Sequence, residues 1–380
     1  MNIHDFDDIR PYMGEELDGV FDKLLNDPEF RHIVGNLFSG VPISQIEDMI
    51  FSCETNESFQ KKLVYPFLKL LLSEHSNGLD SDFSSLAHDM NYTFISNHRD
   101  IVLDPALLDV SLIDHDFNTV EIAIGDNLLI RPWIKDLVRV NKSFIVQRSL
   151  NMREMLMASA KLSKYMHFAI REKHEHLWIA QREGRAKDGN DRTQESVLKM
   201  LSMGGDLREL NIVPLTITYE YDPCDYLKAE EMQQKRDIEG FKKSKQDDLD
   251  NMRIGIFGDK GHVNYKSGEC LNSFLDSLPS DMPRNDYFKV VASHIDHIIH
   301  SNYVPHAVHF VALDKHEGSS QYLGVRYSKE DEKSFVDYVE SQLSKVNIEN
   351  PDMDFLRSKI YEMYANPIKN YLEAIKENGK

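Results

Sequence analysis

Apolar residues at 17, 20, 21, 24 and 25 recur at helical spacing and predict a helix over 15–25. The same period predicts helices over 43–51 and 59–72, the latter kinked at Pro66. Ser76-Asn77-Gly78 stops that run, and Asp80-Ser81-Asp82 reads as a loop or a new cap. From about residue 91 the pattern changes. Short apolar strands over 92–95, 119–124, 143–147, 177–181 and 212–219 alternate with helices over 106–113, 133–140, 151–172 and 193–201. Such alternation predicts an α/β fold, with a mixed, largely parallel sheet flanked by helices and preceded by an N-terminal helical domain. Beyond 222 the signals mix. The charge run 228–253 reads as a solvated helix or a mobile excursion. Segments 254–257 and 262–266, joined by Gly258-Asp259-Lys260-Gly261, read as a hairpin. The stretch 284–376 is mostly helical, with 307–313 ambiguous. The expected division is a helical domain over 1–90 and an α/β domain over 91–380, with a core at 91–221 and an extension at 222–380.

Charge narrows the classes of partner. The 380 residues carry 44 Lys and Arg against 63 Asp and Glu, a net charge of -19, which argues against nucleic acid as a partner. A basic segment stands against that background, since 131–153 holds six Lys or Arg and one acid, Asp136. For Lys135 and Arg139 an ordinary solvated helix face accounts for the charge. The three cysteines, Cys53, Cys224 and Cys270, have no metal-ligand spacing and fit a reducing compartment as inert thiols. The start of the chain lacks a basic, apolar leader, and no run is long enough to span a bilayer. A cytoplasmic location is expected, with any membrane contact peripheral.

Candidate chemistry concentrates at strand ends, where active sites of parallel sheets gather. His98 follows the 92–95 strand, placing an imidazole where it can take a proton from a hydroxyl. Asp104 or Asp100 could orient that ring, and Asp104 is preferred. Gly125-Asp126-Asn127-Leu128 and the strand from Ser143 to Arg148 form a second block, with the Arg148 guanidinium shaped to grip a phosphate. The third, Gln181-Arg182-Glu183-Gly184-Arg185, offers a carboxylate, a flexible glycine and another phosphate fork. The polar loop 187–193 after it is placed to close over a substrate. The fourth block is Val213-Pro214 at a strand entry. His294, His297 and His300, at helical spacing, read as a solvated helix face and not as metal ligands.

In this order, His98/Asp104, Phe144/Arg148, Glu183/Gly184/Arg185 and Val213/Pro214 resemble the motifs of the glycerolipid acyltransferases, the enzymes acylating glycerol-3-phosphate and 1-acylglycerol-3-phosphate. The resemblance covers 91–221. The segment around Gly261-His262-Val263-Asn264-Tyr265 is similar to a trailing β segment of the family, and the first 90 residues to the helical domain of its soluble branch. This chain departs from the pattern in three places. Five residues separate His98 from Asp104, Phe144 and Arg148 are further apart than usual, and Gln181-Arg182 replaces a Phe-Pro pair.

The resemblance implies an O-acyltransferase of phospholipid synthesis, with His98 as general base and Asp104 holding its tautomer. It implies Arg148, Arg185 and Lys142 on the phosphate, Glu183 and Gly184 beside the acceptor, and Asp100, Arg99 and Arg192 as further candidates. The implied donor is acyl-CoA or acyl carrier protein, the acceptor a phosphorylated glycerol, and neither a further cofactor nor a metal is required. The acidic carrier would dock on 131–153. A catalytically weak lipid-binding protein at the membrane surface is the rival reading. A kinase, prompted by His98-Arg99-Asp100, lacks the Asn that should follow and the glycine-rich loop.

Overall fold

The computed structural model describes residues 2–38, 40–148 and 150–378. Among them, seven strands form one sheet: β1 (Gly78–Asp82), β2 (Thr93–Ser96), β3 (Val120–Gly125), β4 (Ser143–Val146), β5 (His176–Ala180), β6 (Ile212–Tyr219) and β7 (His262–Ser267). Their spatial order is β1-β7-β6-β2-β5-β3-β4, every pair parallel except β6 with β7. The fold is α/β, as expected. The central strands are short apolar runs because both faces are covered, and β2 and β6 are buried at every position.

Side chains alternate between two cores along each strand. On β5, Leu177 and Ile179 join helices Met152–Arg171, Glu195–Leu201 and Arg284–Ser301 in one core. Trp178 faces the other, with helices Tyr65–His75 and Leu103–Asp114. The latter helix is buried at ten of its twelve positions, which accounts for its weak amphipathic pattern. A third core unites Ala229, Val311, Phe335, Ile360 and Tyr364 within the C-terminal extension. A fourth, around Phe21, Ile46 and Phe59, includes Val140 and packs Trp133 and Leu137, so the N-terminal helices share their core with helix Pro132–Val140.

Four expectations need correction. Residues 78–82 are neither loop nor cap but edge strand β1, parallel to β7. An edge strand with alternating acids has no apolar signature to read. β1 also lies before residue 90, so the sheet draws on the segment assigned to the helical domain. The 254–257 stretch is the end of helix Lys245–Phe257 and not a hairpin arm, and β7 pairs instead with β1 and β6. A four-residue apolar run carries no period by which to tell the two apart. The charge run 228–253 is solvated only in part, for Lys228, Glu230 and Glu231 are buried on helix Asp225–Asp237 whereas 235–240 are exposed. Helix Pro28–Leu37 is an element that no expectation above includes, although Asp27 caps it and Pro28 opens it. The ambiguous 307–313 stretch lies in helix Ala307–Glu317, and a π-helical turn, Gln60–Val64, precedes Pro66 where a kink was expected.

Candidate active site

At the carboxyl end of β2 the chain leaves the sheet without losing its attachment. The Asn97 side chain takes the place of a strand residue, its Nδ2 donating to Ile217 O and its Oδ1 accepting from Ile217 N, both at 2.8 Å. Ser96 Oγ accepts from Trp178 Nε1 at 3.0 Å and donates to Asn97 O. These bonds fix the backbone that delivers His98.

Nδ1 of His98 lies 2.7 Å from Oδ2 of Asp104, and the Asp104 side chain is fully buried while the ring keeps 15% exposure. The same oxygen accepts from the backbone N–H of Arg99 at 2.6 Å and of Asp100 at 3.0 Å, and Tyr219 donates its hydroxyl to Oδ1 at 3.2 Å. These donors satisfy a carboxylate that burial alone would disfavour. Asp100 faces away from the ring. It caps helix Leu103–Asp114 by accepting from Val102 N and Leu103 N. Burial pushes its carboxyl up, and the neighbouring Asp104 charge pushes it further. The extra residue between His98 and Asp104 is therefore taken up in a capped turn. Trp178 meets the imidazole edge-to-face with centroids 5.7 Å apart, and Asp191 accepts from His98 N at 2.7 Å. The Asp191 carboxyl is itself raised by burial. Nε2 of His98 makes no hydrogen bond among the described residues.

The ring lines a cavity of about 900 Å³. Its apolar lining comes from the N-terminal helices, including Val34, Phe38 and Phe67, and from the sheet and later helices, including Ile124, Val146 and Met155. Its polar lining includes Arg131, Arg148, Arg182 and Glu183. Gly125 makes room for Arg148, since a Cβ there would stand 2.9 Å from Arg148 Nε. Gly184 has φ +69°, a turn that suits glycine, with open space around it.

Two expected phosphate ligands stand elsewhere. Arg185 is buried away from the cavity lining, with Nη2 on Asn251 Oδ1 at 3.2 Å and Nη1 unpartnered among the described residues. Lys142 is buried at the opposite end of β4, with φ +56° and Nζ on Thr119 O and Glu175 Oε2. Arg182 occupies the place expected of Arg185, and its buried Nε has no partner among the described residues. Strand parity does not mark it, since Ile179 and Glu183 line the cavity alongside Trp178, Ala180 and Arg182.

Arg99 is also interior, pairing with Asp222 at 3.2 Å, and Lys228 joins the same carboxylate. Arg192 turns to the C-terminal helices, with Nη2 on Asn370 Oδ1 at 2.6 Å. The loop 187–193 is accordingly no lid. Asn366 holds Asp188 O, Asn370 reaches Asn190, and a Cβ on Gly189 would stand 2.2 Å from Met363 O. The extension thus clamps the loop that carries Asp191. His300 belongs to this clamp and is not solvated, its Nδ1 accepting from Arg192 Nη1 at 3.3 Å and its Nε2 donating to Asp191 O at 3.1 Å. His294 instead stacks on Phe274. Burial pushes the Cys224 thiol up to about 12 and leaves it unreactive. No described helix is long and apolar enough to cross a membrane.

No family model matches the chain, and no curated protein matches it. Among solved structures, the 1-acyl-sn-glycerophosphate (LPA) acyltransferase PlsC from Thermotoga maritima aligns over 77% of this chain and 98% of its own, at 12% identity and a TM-score of 0.37. A likeness that distant bears on neither activity nor substrate.

Proposed function

We propose that this chain is an O-acyltransferase, with His98 as its general base. The observation carrying this reading is the 2.7 Å His98–Asp104 pair at the wall of a largely apolar cavity that Arg148 and Arg182 also line. An alcohol oxygen attacks the carbonyl carbon of an acyl thioester while His98 Nε2 takes the hydroxyl proton. The tetrahedral adduct collapses, the C–S bond breaks, and the departing sulfur takes the proton back from the imidazolium. Asp104 holds the proton on Nδ1, so that Nε2 is the basic nitrogen, and balances the imidazolium charge. A base so placed is worth roughly 100- to 10,000-fold in rate.

The acceptor we propose is a phosphorylated glycerol, glycerol-3-phosphate or 1-acylglycerol-3-phosphate, with Arg148 and Arg182 on its phosphate. The acyl chain of acyl-CoA or acyl carrier protein takes the apolar lining of the cavity. This chemistry suits a protein at the periphery of a membrane on its cytoplasmic side.

The test is transfer of a labelled acyl group from each donor to each acceptor, with products identified by mass. Wild-type protein should form a mono- or diacylated phosphoglycerol, and His98→Ala should reduce turnover by about a hundredfold or more. Unchanged turnover in His98→Ala would remove the mechanism. Lipid binding with no transfer by the wild type would favour the lipid-binding reading.

A further inference from the structure

Helix Met152–Arg171 begins with apolar residues that no described residue covers. Met152 is 91% exposed, Leu156 62% and Met157 64%. Met152, Met155 and Leu156 share one helical face, and Met155 also lines the cavity, so the exposed face runs outward from the cavity wall. Isolated exposed apolar residues are ordinary on a protein surface, whereas a contiguous group with a polar border marks a docking site.

The border here is basic. Arg153 stands within the exposed turn, Lys135 is exposed on helix Pro132–Val140, which lines the cavity through Trp133 and Leu137, and Arg148 and Arg131 line it too, Arg131 lying 3.7 Å from Glu29. Glu154, the acid of this turn, is engaged at the N-cap, where it accepts from Asn151 N at 3.2 Å. In a chain of net charge -19, this is a local concentration of positive charge, set against Glu29 and Glu183 in the same lining.

We infer that this rim docks on the surface of an anionic lipid bilayer, with Met152, Leu156 and Met157 entering the acyl boundary and Arg131, Lys135 and Arg153 at the headgroups. The occupant follows from charge complementarity and from continuity with the cavity. An apolar turn bordered by arginine and lysine lies in an interface of anionic headgroups over hydrocarbon. The acidic remainder of the surface is repelled by the same headgroups, which leaves one orientation, cavity mouth towards the lipid. The inference deepens the proposed reaction, because a lipid could then pass to His98 without crossing water. Its own support is exposure and charge.

Flotation of the full chain with vesicles tests it and requires no turnover, so loss of docking and loss of transfer are told apart. Vesicles of phosphatidylcholine with phosphatidylglycerol should carry the wild type, and phosphatidylcholine alone should carry far less. The variant Met152→Ser/Leu156→Ser/Met157→Ser should bind anionic vesicles at least about tenfold more weakly with an unchanged melting temperature. Lys135→Gln/Arg153→Gln should lose about tenfold on anionic vesicles only. Failure of the wild type to float, or flotation of the serine variant like wild type, overturns the inference. So does a homodimer that the serine variant dissociates, or capture of an acidic carrier protein through this face with no vesicle binding.

Discussion

The Oδ2 atom of Asp104 is shared between Nδ1 of His98 at 2.7 Å and the backbone N–H groups of Arg99 and Asp100. One buried carboxylate thus sets both the tautomer of the ring and the path of the turn that carries it. Orientation and local folding are coupled at this residue, and substitutions there should affect both.

Asp104→Asn is expected to lower the rate of acyl transfer by roughly a thousand- to ten-thousandfold, because an amide that donates to Nδ1 selects the wrong tautomer. Asp104→Ala, which leaves two backbone donors without an acceptor, should also cost about 2–4 kcal/mol of stability. Steady-state rates and urea unfolding measured on the same preparations separate the two effects. Near-native turnover in Asp104→Asn would remove Asp104 from the mechanism.

The arginines should divide by position. Arg148→Ala and Arg182→Ala are expected to raise KM for the phosphorylated acceptor about tenfold or more, with smaller changes in the melting temperature. Arg185→Ala and Lys142→Gln should instead lower stability and leave KM close to wild type, since both side chains are buried outside the cavity lining. A KM effect confined to Arg185→Ala would show that the acceptor sits elsewhere.

Gly189→Ala tests the clamp. With φ +73° and Met363 O 2.2 Å from the added Cβ, the loop or helix Met353–Asn378 must shift. A loss of about 2 kcal/mol or more is expected, together with faster amide exchange at His98 as the Asp191 contact loosens. Full native stability would mean that the loop is free to move.

Stability should depend on pH through buried carboxyls. Burial, with the nearby Asp222 charge, pushes Asp225 up to about 7, and burial does the same to Asp109. A folded-state pKa above the unfolded value of about 4 means that the native state holds the proton more tightly. The associated stability is present below about pH 4 and is lost as pH rises through about 7. His176 and His300, pushed by burial down to about 4, act oppositely and withdraw stability as pH falls from about 6.5 to 4. Asp225→Asn should therefore gain on wild type progressively between about pH 4 and 7, read by urea titration at each pH. A difference that does not change across that range would show that Asp225 is ionised throughout in the fold.

Much of the architecture was legible locally. The periodicity locates β6 and helix Ile43–Phe51 at their observed limits, and the other strands of the 91–221 core to within a residue or two, because buried strands and amphipathic helices must repeat their apolar residues at a fixed interval. His98 at a strand end, with an acid a turn away, follows from the same order. Sequence could not say which of Arg182 and Arg185 faces the cavity, that β1 pairs with β7, or that Asp191, 93 positions from His98, holds its backbone. These outcomes depend on which surfaces meet. A side chain's direction is set by strand parity and by the helices packed over it, and contacts between distant segments leave no local period in the chain. The residue types and their order lie along one dimension, whereas burial and neighbours, which decide what a charge can do, arise only when distant segments pack on the sheet.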